Sequence, residues 1–556
     1  MTSKTHGCRP ADSAGRQFFS AASGPSSSLA QGNAVSPPSP IPQATLRLIE
    51  RLAEPDCYPH PTAGIRRIET HISWVLLTGP FVYKLKKPLD LGFLDYTTLE
   101  KRRRCCEEEL RVSGRFAPTL YRAAVPITGS PESPRVGGDG PVIEWAVQLV
   151  QFDEADRLDA RFAAGRLTAA DCRRLGEEIA DVEAGLAVAG PDEPWGTAAS
   201  VRDAVAINLR QLREARPEAA GRVAGIEAWL LGRLEAETAA IERRRAAGRV
   251  RECHGDLHLA NLVLHAGRMT AFDAIEFSPS LRWIDVANDV AFLTMDLTSR
   301  GRPDLAAQVR SSWMEVADDH AAAGVFPVYE IYRAVVRAAV AALRAGDAAA
   351  DRAETNRYLA VAERLMQRRR PVLFATVGIS GSGKTTLANE LVGRAEAVRL
   401  RSDVERKRLA GIRPTDRPAG AAAEADLYGE PMTRRVYERL ATLAATLLAA
   451  ERSVVIDAAC LQRWQRERLA SVAREAGVPL VWLEFELPDT TVLARVARRQ
   501  AAGGDASDAS AEVVHRQLAA REPIAADELE SRDGAVIRRV ELREGDVASL
   551  LEIPFL

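Results

Sequence analysis

The chain has 556 residues, of which 46% are apolar and 27% charged, and its formal net charge is −2. These proportions exclude a largely disordered chain, and the near-neutral charge gives no overall attraction to nucleic acid or to an anionic membrane. No apolar run reaches the ~18 residues of a membrane-spanning helix, and no apolar signal-peptide core is present, so we expect a cytoplasmic protein. The seven cysteines have no paired spacing, which favours free thiols over disulfides or a zinc site.

The first part of the chain changes from a polar tail to a region of short strands and helices. Residues 1–42 are rich in Ser, Pro and Gly, and we expect this tail to be disordered. A helix is predicted from about Ala44. The segment HISWVLLTGPFVYKLKKP then predicts two strands joined by a turn at Thr78, Gly79 and Pro80.

The remainder of the chain divides into a helical part and an alternating part. A charged helix is predicted from Leu99, and VIEWAVQLVQF predicts a buried strand. Helical periodicity dominates residues 168–249 and 283–366. Beyond Pro371 strands and helices alternate, as in a parallel α/β sheet. The predicted organisation is a tail and two domains, at 1–42, 43–366 and 367–556.

The segment HGDLHLAN, which begins at His254, has the residue order of a phosphoryl-transfer catalytic loop. Asp256 lies on a tight turn, and Asn261 follows and leads into an apolar strand. Such a loop uses its Asp to accept the proton of the attacking hydroxyl and its Asn to bind a metal ion. The following FDAIEF contributes Asp273 and Glu276, whose oxygens are ligands that Mg²⁺ prefers.

Over residues 45–345 the chain resembles the aminoglycoside phosphotransferase family, which has an α+β protein-kinase-like fold. The resemblance implies that Asp256 is the catalytic residue and Asn261 a metal ligand. The DAIE segment is similar to the Asp-x-Glu variant of methylthioribose kinase, with one residue more. Whether Asp273 or Glu276 leads the metal coordination therefore stays open.

The resemblance also implies a nucleotide-binding lysine on an early strand and a glutamate partner on the next helix. Among the three lysines of VYKLKKP, Lys84 fits the Val-x-Lys pattern of the family. We choose Glu109 as its partner over Glu107 and Glu108. Asp285, in WIDVANDVAF, matches a family Asp that braces the catalytic loop.

A second site is predicted at GISGSGKT, which fits the phosphate-binding pattern G-x-x-x-x-G-K-[ST]. It lies between an apolar strand, VLFATV, and a helix, TTLANEL, which is the context that the motif requires. Lys384 is expected to reach the β and γ phosphates, and Thr385 to hold Mg²⁺. The residues expected to bind the nucleotide are Gly378, Ser380, Gly381, Ser382, Gly383, Lys384, Thr385 and Thr386.

Acidic and basic side chains near this loop are candidates for the chemistry. Asp457 ends the strand VVIDAA and is the expected acidic partner of the Mg²⁺ site. In SDVERKRL, Asp403 could deprotonate an acceptor hydroxyl, and Arg406 could hold an anionic group of the acceptor. The alternative is that Asp403 only caps a helix.

The segment LARVARRQAAGGDASDAS predicts a helix followed by a Gly-rich lid. Arg495, Arg498 and Arg499 end this helix and are candidates for contact with the transferring phosphoryl group, and their spacing does not choose among them. Over residues 371–550 the chain resembles P-loop kinases of the polynucleotide-kinase and gluconate-kinase type. VVIDAA lacks the Asp-Glu pair of motor ATPases, which favours phosphoryl transfer over mechanical work.

These observations predict a bifunctional phosphotransferase that uses ATP and Mg²⁺ at two sites and acts on hydroxyls of small molecules. The whole chain resembles bacterial fusions of an aminoglycoside-phosphotransferase-like domain with a P-loop kinase. One alternative is a nucleic-acid 5′-hydroxyl kinase in the second half, although no basic tract interleaved with aromatics favours it. Another is an ATP-binding regulator in which one half is a pseudokinase. The sequence specifies no oligomeric state.

Overall fold

The structure is a computed structural model that describes residues 41–92, 94–344, 349–413, 416, 426–485, 488–502, 511–530 and 536–542. Most of the predicted tail therefore lies outside the described residues. The chain forms two compact units, each assembled from several stretches. Unit 1 consists of Met1–Leu167, Gly185–Asp296 and Tyr332–Ala362, and unit 2 of Thr168–Ala184, Leu297–Ile331 and Glu363–Leu556. The domain limits predicted from the sequence, 43–366 and 367–556, stay a prediction.

The helices and strands follow in chain order. The helices are α1 (Gln43–Arg51), α2 (Leu99–Phe116), α3 (Leu158–Ala163), α4 (Ala169–Ala184), α5 (Ala198–Ala215), α6 (Ala220–Ala246), α7 (Pro279–Arg282), α8 (Val286–Ser299), α9 (Pro303–Ala317), α10 (Phe326–Arg344), α11 (Ala349–Leu365), α12 (Lys384–Arg394), α13 (Ser402–Leu409), α14 (Glu430–Ala449), α15 (Arg463–Ala476), α16 (Asp489–Ala502) and α17 (Ala511–Ala519). The strands are β1 (Arg66–Glu69), β2 (Ser73–Leu77), β3 (Phe81–Lys86), β4 (Tyr121–Ser130), β5 (Ser133–Val136), β6 (Val142–Val150), β7 (Val250–Glu252), β8 (Leu262–His265), β9 (Arg268–Ala271), β10 (Trp283–Asp285), β11 (Leu373–Val377), β12 (Val398–Arg401), β13 (Val454–Asp457), β14 (Leu480–Phe485) and β15 (Ile537–Leu542). None of the helices in this described part of the chain has the length and apolar character needed to cross a bilayer.

Unit 1 begins with a six-stranded antiparallel sheet in the order β1-β2-β3-β6-β4-β5. Side chains alternate between its two faces, as the strand geometry requires. On β3, Val82 faces the core that includes Cys106 of α2, while Tyr83 and Leu85 face the core formed with α1. Lys84 and Lys86 therefore project to the same side of the sheet as Val82. This alternation places both lysines towards α2.

The remainder of unit 1 is mostly helical and carries two small antiparallel pairs, β7 with β10 and β8 with β9. The segment that contains HGDLHLAN connects β7 to β8. At its turn Gly255 has φ +85°, and a Cβ there would lie 2.8 Å from the Leu281 carbonyl oxygen. Only glycine fits this position without displacing the backbone.

Unit 2 contains a five-stranded sheet in the order β12-β13-β11-β14-β15, and all of its strand pairs are parallel. The GISGSGKT loop connects β11 to α12. Phe374 of β11 packs with Leu387 and Leu391 of α12 and with Val455 and Val481 of the neighbouring strands. Because the strands run in one direction, their carboxyl ends lie at one edge, where ligands of open α/β sheets bind.

Two helices from before the alternating region also belong to unit 2, namely α4 and α9. Trp313 of α9 donates a hydrogen bond of 2.6 Å to Glu183 of α4. Gln308 donates one of 2.7 Å to the Asn389 carbonyl oxygen of α12, and Ser311 Oγ accepts one of 3.0 Å from the Arg399 amide of β12. The parallel sheet is therefore covered on this side by residues that precede it by many positions in the chain.

We expect a fragment of residues 367–556 to be less stable than a fragment of residues 297–556. The shorter fragment loses the partners of Asn389 and Arg399, and each hydrogen bond contributes about 1 kcal/mol. Urea unfolding of the two fragments should show a free energy of unfolding lower by about 2 kcal/mol or more in the shorter one. As a matched control, Gln308→Ala and Ser311→Ala together in the longer fragment should reproduce part of the loss. Equal values for the two fragments would contradict the assignment of α9 to unit 2.

Candidate active sites

Lys84 lies at the centre of a buried ion-pair network in unit 1. Its Nζ donates to Glu109 Oε1 of α2 at 2.9 Å and also contacts Asp273 Oδ1. The Lys84 and Glu109 side chains are 5% and 0% exposed, so both charges are removed from water and depend on each other. An ion pair between a lysine of the third strand and a glutamate of the following helix is the arrangement that kinase sites use to hold the nucleotide.

The two neighbouring glutamates of α2 point elsewhere. Glu107 pairs with Arg103 of the same helix at 3.2 Å. Glu108 pairs with Arg111 at 2.7 Å and with Arg282 at 2.5 Å. Among the three candidates, Glu109 is thus the one that the structure brings to Lys84.

Lys86 forms a second buried ion pair that the sequence analysis did not assign. Its Nζ donates to Glu109 Oε2 at 2.5 Å and contacts Glu276, which also accepts a hydrogen bond of 2.7 Å from Tyr96. Burial raises the pKa of Glu276, but the Lys86 and Lys84 charges outweigh it and lower that pKa to about 2. The Lys-x-Lys spacing in VYKLK carries the signal, since residues two apart on a strand share one face.

Asp273 and Glu276 therefore have different environments. Asp273 has φ +63°, and its amide donates a hydrogen bond of 3.0 Å to the Tyr121 hydroxyl. Burial raises the pKa of Asp273, although Lys84 opposes this shift. Within the described residues, its buried Oδ2 accepts no hydrogen bond, whereas Glu276 Oε1 is shared by Lys86 and Tyr96. A buried carboxylate oxygen of this kind suits a divalent cation, so the residues fit Mg²⁺ at Asp273.

The catalytic-loop residues Asp256 and Asn261 lie side by side. Asn261 Nδ2 donates to both the backbone oxygen and Oδ2 of Asp256, each at 3.0 Å. This arrangement leaves the amide oxygen of Asn261 as the atom suited to a metal ion. Burial would raise the pKa of Asp256, but His258, Arg337 and His254 outweigh it and hold that pKa well below its usual range. Asp256 is thus a carboxylate at neutral pH.

Asp289 braces the catalytic loop. Its two carboxylate oxygens accept hydrogen bonds from the amides of His254 and Gly255 at 2.8 and 2.9 Å. The prediction that Asp285 has this role is wrong, because Asp285 ends β10 and binds Arg244 of α6 at 2.7 and 2.8 Å. Asp289 lies one turn later, on α8, and this turn directs its carboxylate to the loop.

The phosphate-binding loop of unit 2 is shaped by its glycines. Gly381 and Gly383 have φ +88° and +101°, a region that side chains rarely adopt. A Cβ on Gly381 would lie 2.8 Å from Val496 Cγ2 and 3.0 Å from the Val492 carbonyl oxygen. Lys384 donates a hydrogen bond of 2.7 Å to a carbonyl oxygen of the loop itself. Gly378, Ser380, Ser382, Thr385 and Thr386 belong to the same strand-loop-helix connection.

Thr385 and Asp457 come together at the carboxyl edge of the parallel sheet. Thr385 Oγ1 lies 3.4 Å from Asp457 Oδ1. The second oxygen, Asp457 Oδ2, is buried and accepts no hydrogen bond from any residue that the structure describes. No group of three or more His, Cys, Asp or Glu side chains suited to a metal occurs among those residues.

Asp403 and Arg406 lie on α13 but have different surroundings. Asp403 is half-buried and follows β12, whose residue Arg401 is in register with Asp457 of β13. Arg406 is 8% exposed, and its Nη1 donates to the Leu427 carbonyl oxygen at 3.0 Å and to Thr433 Oγ1 at 3.1 Å. The Arg406 guanidinium therefore fixes the 427–433 segment.

The two helices after β14 reach the phosphate-binding loop. A terminal nitrogen of Arg495, on α16, lies 3.8 Å from the position that a Cβ would occupy on Gly383. Arg498, another predicted lid arginine, is exposed, and the side chain of the third, Arg499, lies outside the described residues. Gln517 of α17 accepts a hydrogen bond of 2.7 Å from the Ser380 amide. The sequence analysis missed Gln517, because a glutamine on a short amphipathic helix has no distinguishing pattern.

Comparison with known proteins shows a match of residues 373–524 to the family described as AAA domain. Uncharacterized proteins of Mycobacterium tuberculosis and Mycobacterium bovis are each 28% identical over 480 residues, which cover 84% of this chain and 92% of theirs. Among solved structures, a choline/ethanolamine kinase family protein from Mesorhizobium loti is 13% identical, with a TM-score of 0.35, and covers 58% of this chain and 95% of its own. A gluconokinase from Sinorhizobium meliloti is 21% identical, with a TM-score of 0.20, over 31% of this chain and 85% of its own.

Unit 1 thus has an α+β fold, and unit 2 has an α/β P-loop fold with a parallel sheet. The predicted fold class is confirmed, as is the predicted resemblance to a fusion of these two kinds of domain. In the P-loop part, Asp457 is followed by Ala458, so the Asp-Glu pair of motor ATPases is absent from β13.

Proposed function

We propose that the protein is an ATP-dependent phosphotransferase with two kinase-type sites, each acting on a hydroxyl of a small molecule. The observation that carries the proposal is the buried Lys84–Glu109 pair, which accompanies the Asp256–Asn261 pair in unit 1. In unit 2 the same chemistry is supported by the loop of Lys384. The cysteines that the structure describes are free thiols, which supports a reducing, cytoplasmic location.

In the site of unit 1, Lys84 binds the nucleotide phosphates and Glu109 fixes the lysine. Asp256 accepts the proton of the acceptor hydroxyl as the hydroxyl oxygen bonds to the γ phosphorus of ATP. The bond between the γ phosphorus and the β–γ bridging oxygen breaks, which releases ADP. Asn261 and Asp273 would hold Mg²⁺, which would neutralise charge on the phosphates. We assign Glu276 to positioning, because Lys86 and Tyr96 engage its carboxylate.

In the site of unit 2, backbone amides of the phosphate-binding loop and Lys384 hold the nucleotide phosphates. Thr385 and Asp457 would hold Mg²⁺, which would likewise neutralise phosphate charge. Asp403, at the same edge of the sheet, accepts the proton of the acceptor. Arg495 stabilises negative charge on the transferring phosphoryl group, since its guanidinium lies beside Gly383.

Nucleotide stoichiometry tests the proposal on the full chain. Titration with a non-hydrolysable ATP analogue and Mg²⁺, followed by calorimetry, should give two equivalents per chain. Lys84→Met and Lys384→Met should each reduce the value to one, since each removes the cation that contacts the phosphates at one site. A single equivalent in the wild-type chain would contradict two nucleotide sites. Two equivalents in both variants would contradict the role of these lysines in nucleotide binding.

Asp403→Asn and Arg406→Ala should separate chemistry from acceptor binding in unit 2. Asp403→Asn should lower kcat by about 10²-fold with little change in ATP affinity, because it removes the base. Arg406→Ala should raise KM for the acceptor and lower thermal stability, because the 427–433 segment loses its hydrogen bonds. Steady-state kinetics with a responsive acceptor would check both. Unchanged kinetics in Asp403→Asn would leave this carboxylate as a helix cap.

A further inference from the structure

Gln517 and Lys384 hold the two ends of one peptide group in the phosphate-binding loop. Lys384 Nζ donates to the carbonyl oxygen of Ile379, and the amide of the next residue, Ser380, donates to Gln517 Oε1, both at 2.7 Å. The carbonyl and the N–H of a trans peptide point in opposite directions. The hydrogen bond from Ser380 to Gln517 therefore fixes the orientation of this peptide group, and that orientation sets where its carbonyl oxygen holds the Lys384 ammonium.

The side chain of Ile379 is held by α17 and by α16. It packs in a small apolar core with Val492 and Val496 of α16 and with Val514 and Leu518 of α17. The loop is thus fixed at three adjacent points: the Ile379 side chain, the Ile379 carbonyl and the Ser380 amide. Two of these three contacts come from α17.

Gln517 is well suited to this role by its chemistry. Its carboxamide oxygen accepts a hydrogen bond without adding negative charge close to where the nucleotide phosphates bind. A carboxylate at the same position would also accept the hydrogen bond but would repel those phosphates. An apolar side chain of similar size would leave the Ser380 amide without this partner and the peptide group free to rotate.

We propose that Gln517 is a positioning residue of the P-loop site: it fixes the Ile379–Ser380 peptide group so that the carbonyl holds Lys384 at the terminal phosphates of the nucleotide. Contact of α17 with the loop thereby becomes a condition for phosphoryl transfer in unit 2. The proposal deepens the proposed function and rests on nucleotide binding by this loop. It assigns Gln517 no contact with the reacting atoms.

The test uses an acyl phosphate derivative of ATP on the full chain. Its acyl group passes to a lysine amine beside the nucleotide phosphates, which forms an amide and releases ATP, and mass spectrometry locates the modified lysine. We expect Gln517→Leu to slow modification of Lys384 about three- to tenfold at saturating probe, which corresponds to one hydrogen bond. Modification of Lys84 in the same molecules should be unchanged and serves as the internal control for folding.

Two further variants separate positioning from a general effect on α17. Gln517→Glu keeps an acceptor for the Ser380 amide, so Lys384 should react at nearly the wild-type rate once probe saturates, although the KM for the probe should rise. His515→Leu changes an exposed residue of the same helix and should leave both quantities unchanged.

The experiment distinguishes failure of the positioning role of Gln517 from failure of nucleotide binding by the loop. If wild-type Lys384 reacts, if ATP competes, and if Gln517→Leu reacts equally fast, the positioning role is overturned. An equal slowing in Gln517→Leu, Gln517→Glu and His515→Leu would likewise overturn it, because it would show a general disturbance of the helix. If wild-type Lys384 does not react, or ATP does not compete, nucleotide binding by the loop is itself refuted, and the positioning role with it.

Discussion

Asp256→Asn should abolish phosphoryl transfer by unit 1 while leaving its nucleotide binding intact. The substitution removes the proton acceptor but preserves the size of the side chain and the hydrogen bond from Asn261 to the Asp256 backbone oxygen. Loss of the base should lower kcat on the order of 10²-fold or more. Transfer from γ-labelled ATP, measured with the site of unit 2 disabled by Lys384→Ala, would give the size of the effect.

The control for this experiment is Asp203→Asn, which makes the same chemical change at an exposed position of α5. It should leave transfer and thermal stability unchanged. A near wild-type turnover in Asp256→Asn would refute the assignment of the base. A loss of nucleotide binding would instead show that Asp256 acts mainly through the fold of the loop.

Lys384→Ala should remove nucleotide turnover from unit 2 and from no other part of the chain. The ammonium is the positive charge that the loop directs at the β and γ phosphates, and its effect is largest on the charge that develops during transfer. We expect a loss of about 10²-fold in kcat/KM. The measurement is turnover in a chain whose unit 1 is disabled by Asp256→Asn.

Lys384→Arg is the matched variant for this prediction. It keeps the positive charge but changes its reach and its hydrogen-bonding geometry. Activity should stay well below that of the wild type and above that of Lys384→Ala. Normal turnover in Lys384→Ala would show that the loop does not serve phosphoryl transfer.

Local patterns predicted the parts of both sites that lie close together in the sequence. HGDLHLAN places Asp256 and Asn261 in one loop, and GISGSGKT requires only a strand, a turn and a helix in succession. The pairing of Lys84 with Glu109 was predicted from the family resemblance, which implies a lysine on an early strand and a glutamate on the next helix; the choice of Glu109 over Glu107 and Glu108 needed the structure.

Contacts between distant residues were not predictable in this way. Lys86 meets Glu276 across 190 positions, and Ser380 meets Gln517 across 137. Neither pair lies within one helix or strand, so the sequence periods carry no information about it. The error over Asp285 has another cause: Asp289 follows it by only four residues, and the sequence does not show that Asp285 binds Arg244 while Asp289 accepts hydrogen bonds from the catalytic loop.

The assignment of α4 and α9 to unit 2 also depends on contacts between residues that are distant in the sequence. Their helical periodicity is correct in the sequence analysis, but periodicity does not identify the surface that an amphipathic helix covers. That surface is set by particular contacts, such as those of Gln308 with α12 and Ser311 with β12.

The most direct test of two phosphotransferase sites is transfer of the γ-phosphoryl group from labelled ATP to an extract of small metabolites. The wild-type chain, Asp256→Asn, Lys384→Ala and the double variant would be compared under one set of conditions with Mg²⁺. Two sets of labelled products are expected in the wild type, one set in each single variant, and none in the double variant. Undiminished labelling by the double variant, or loss of all products in either single variant, would contradict the account.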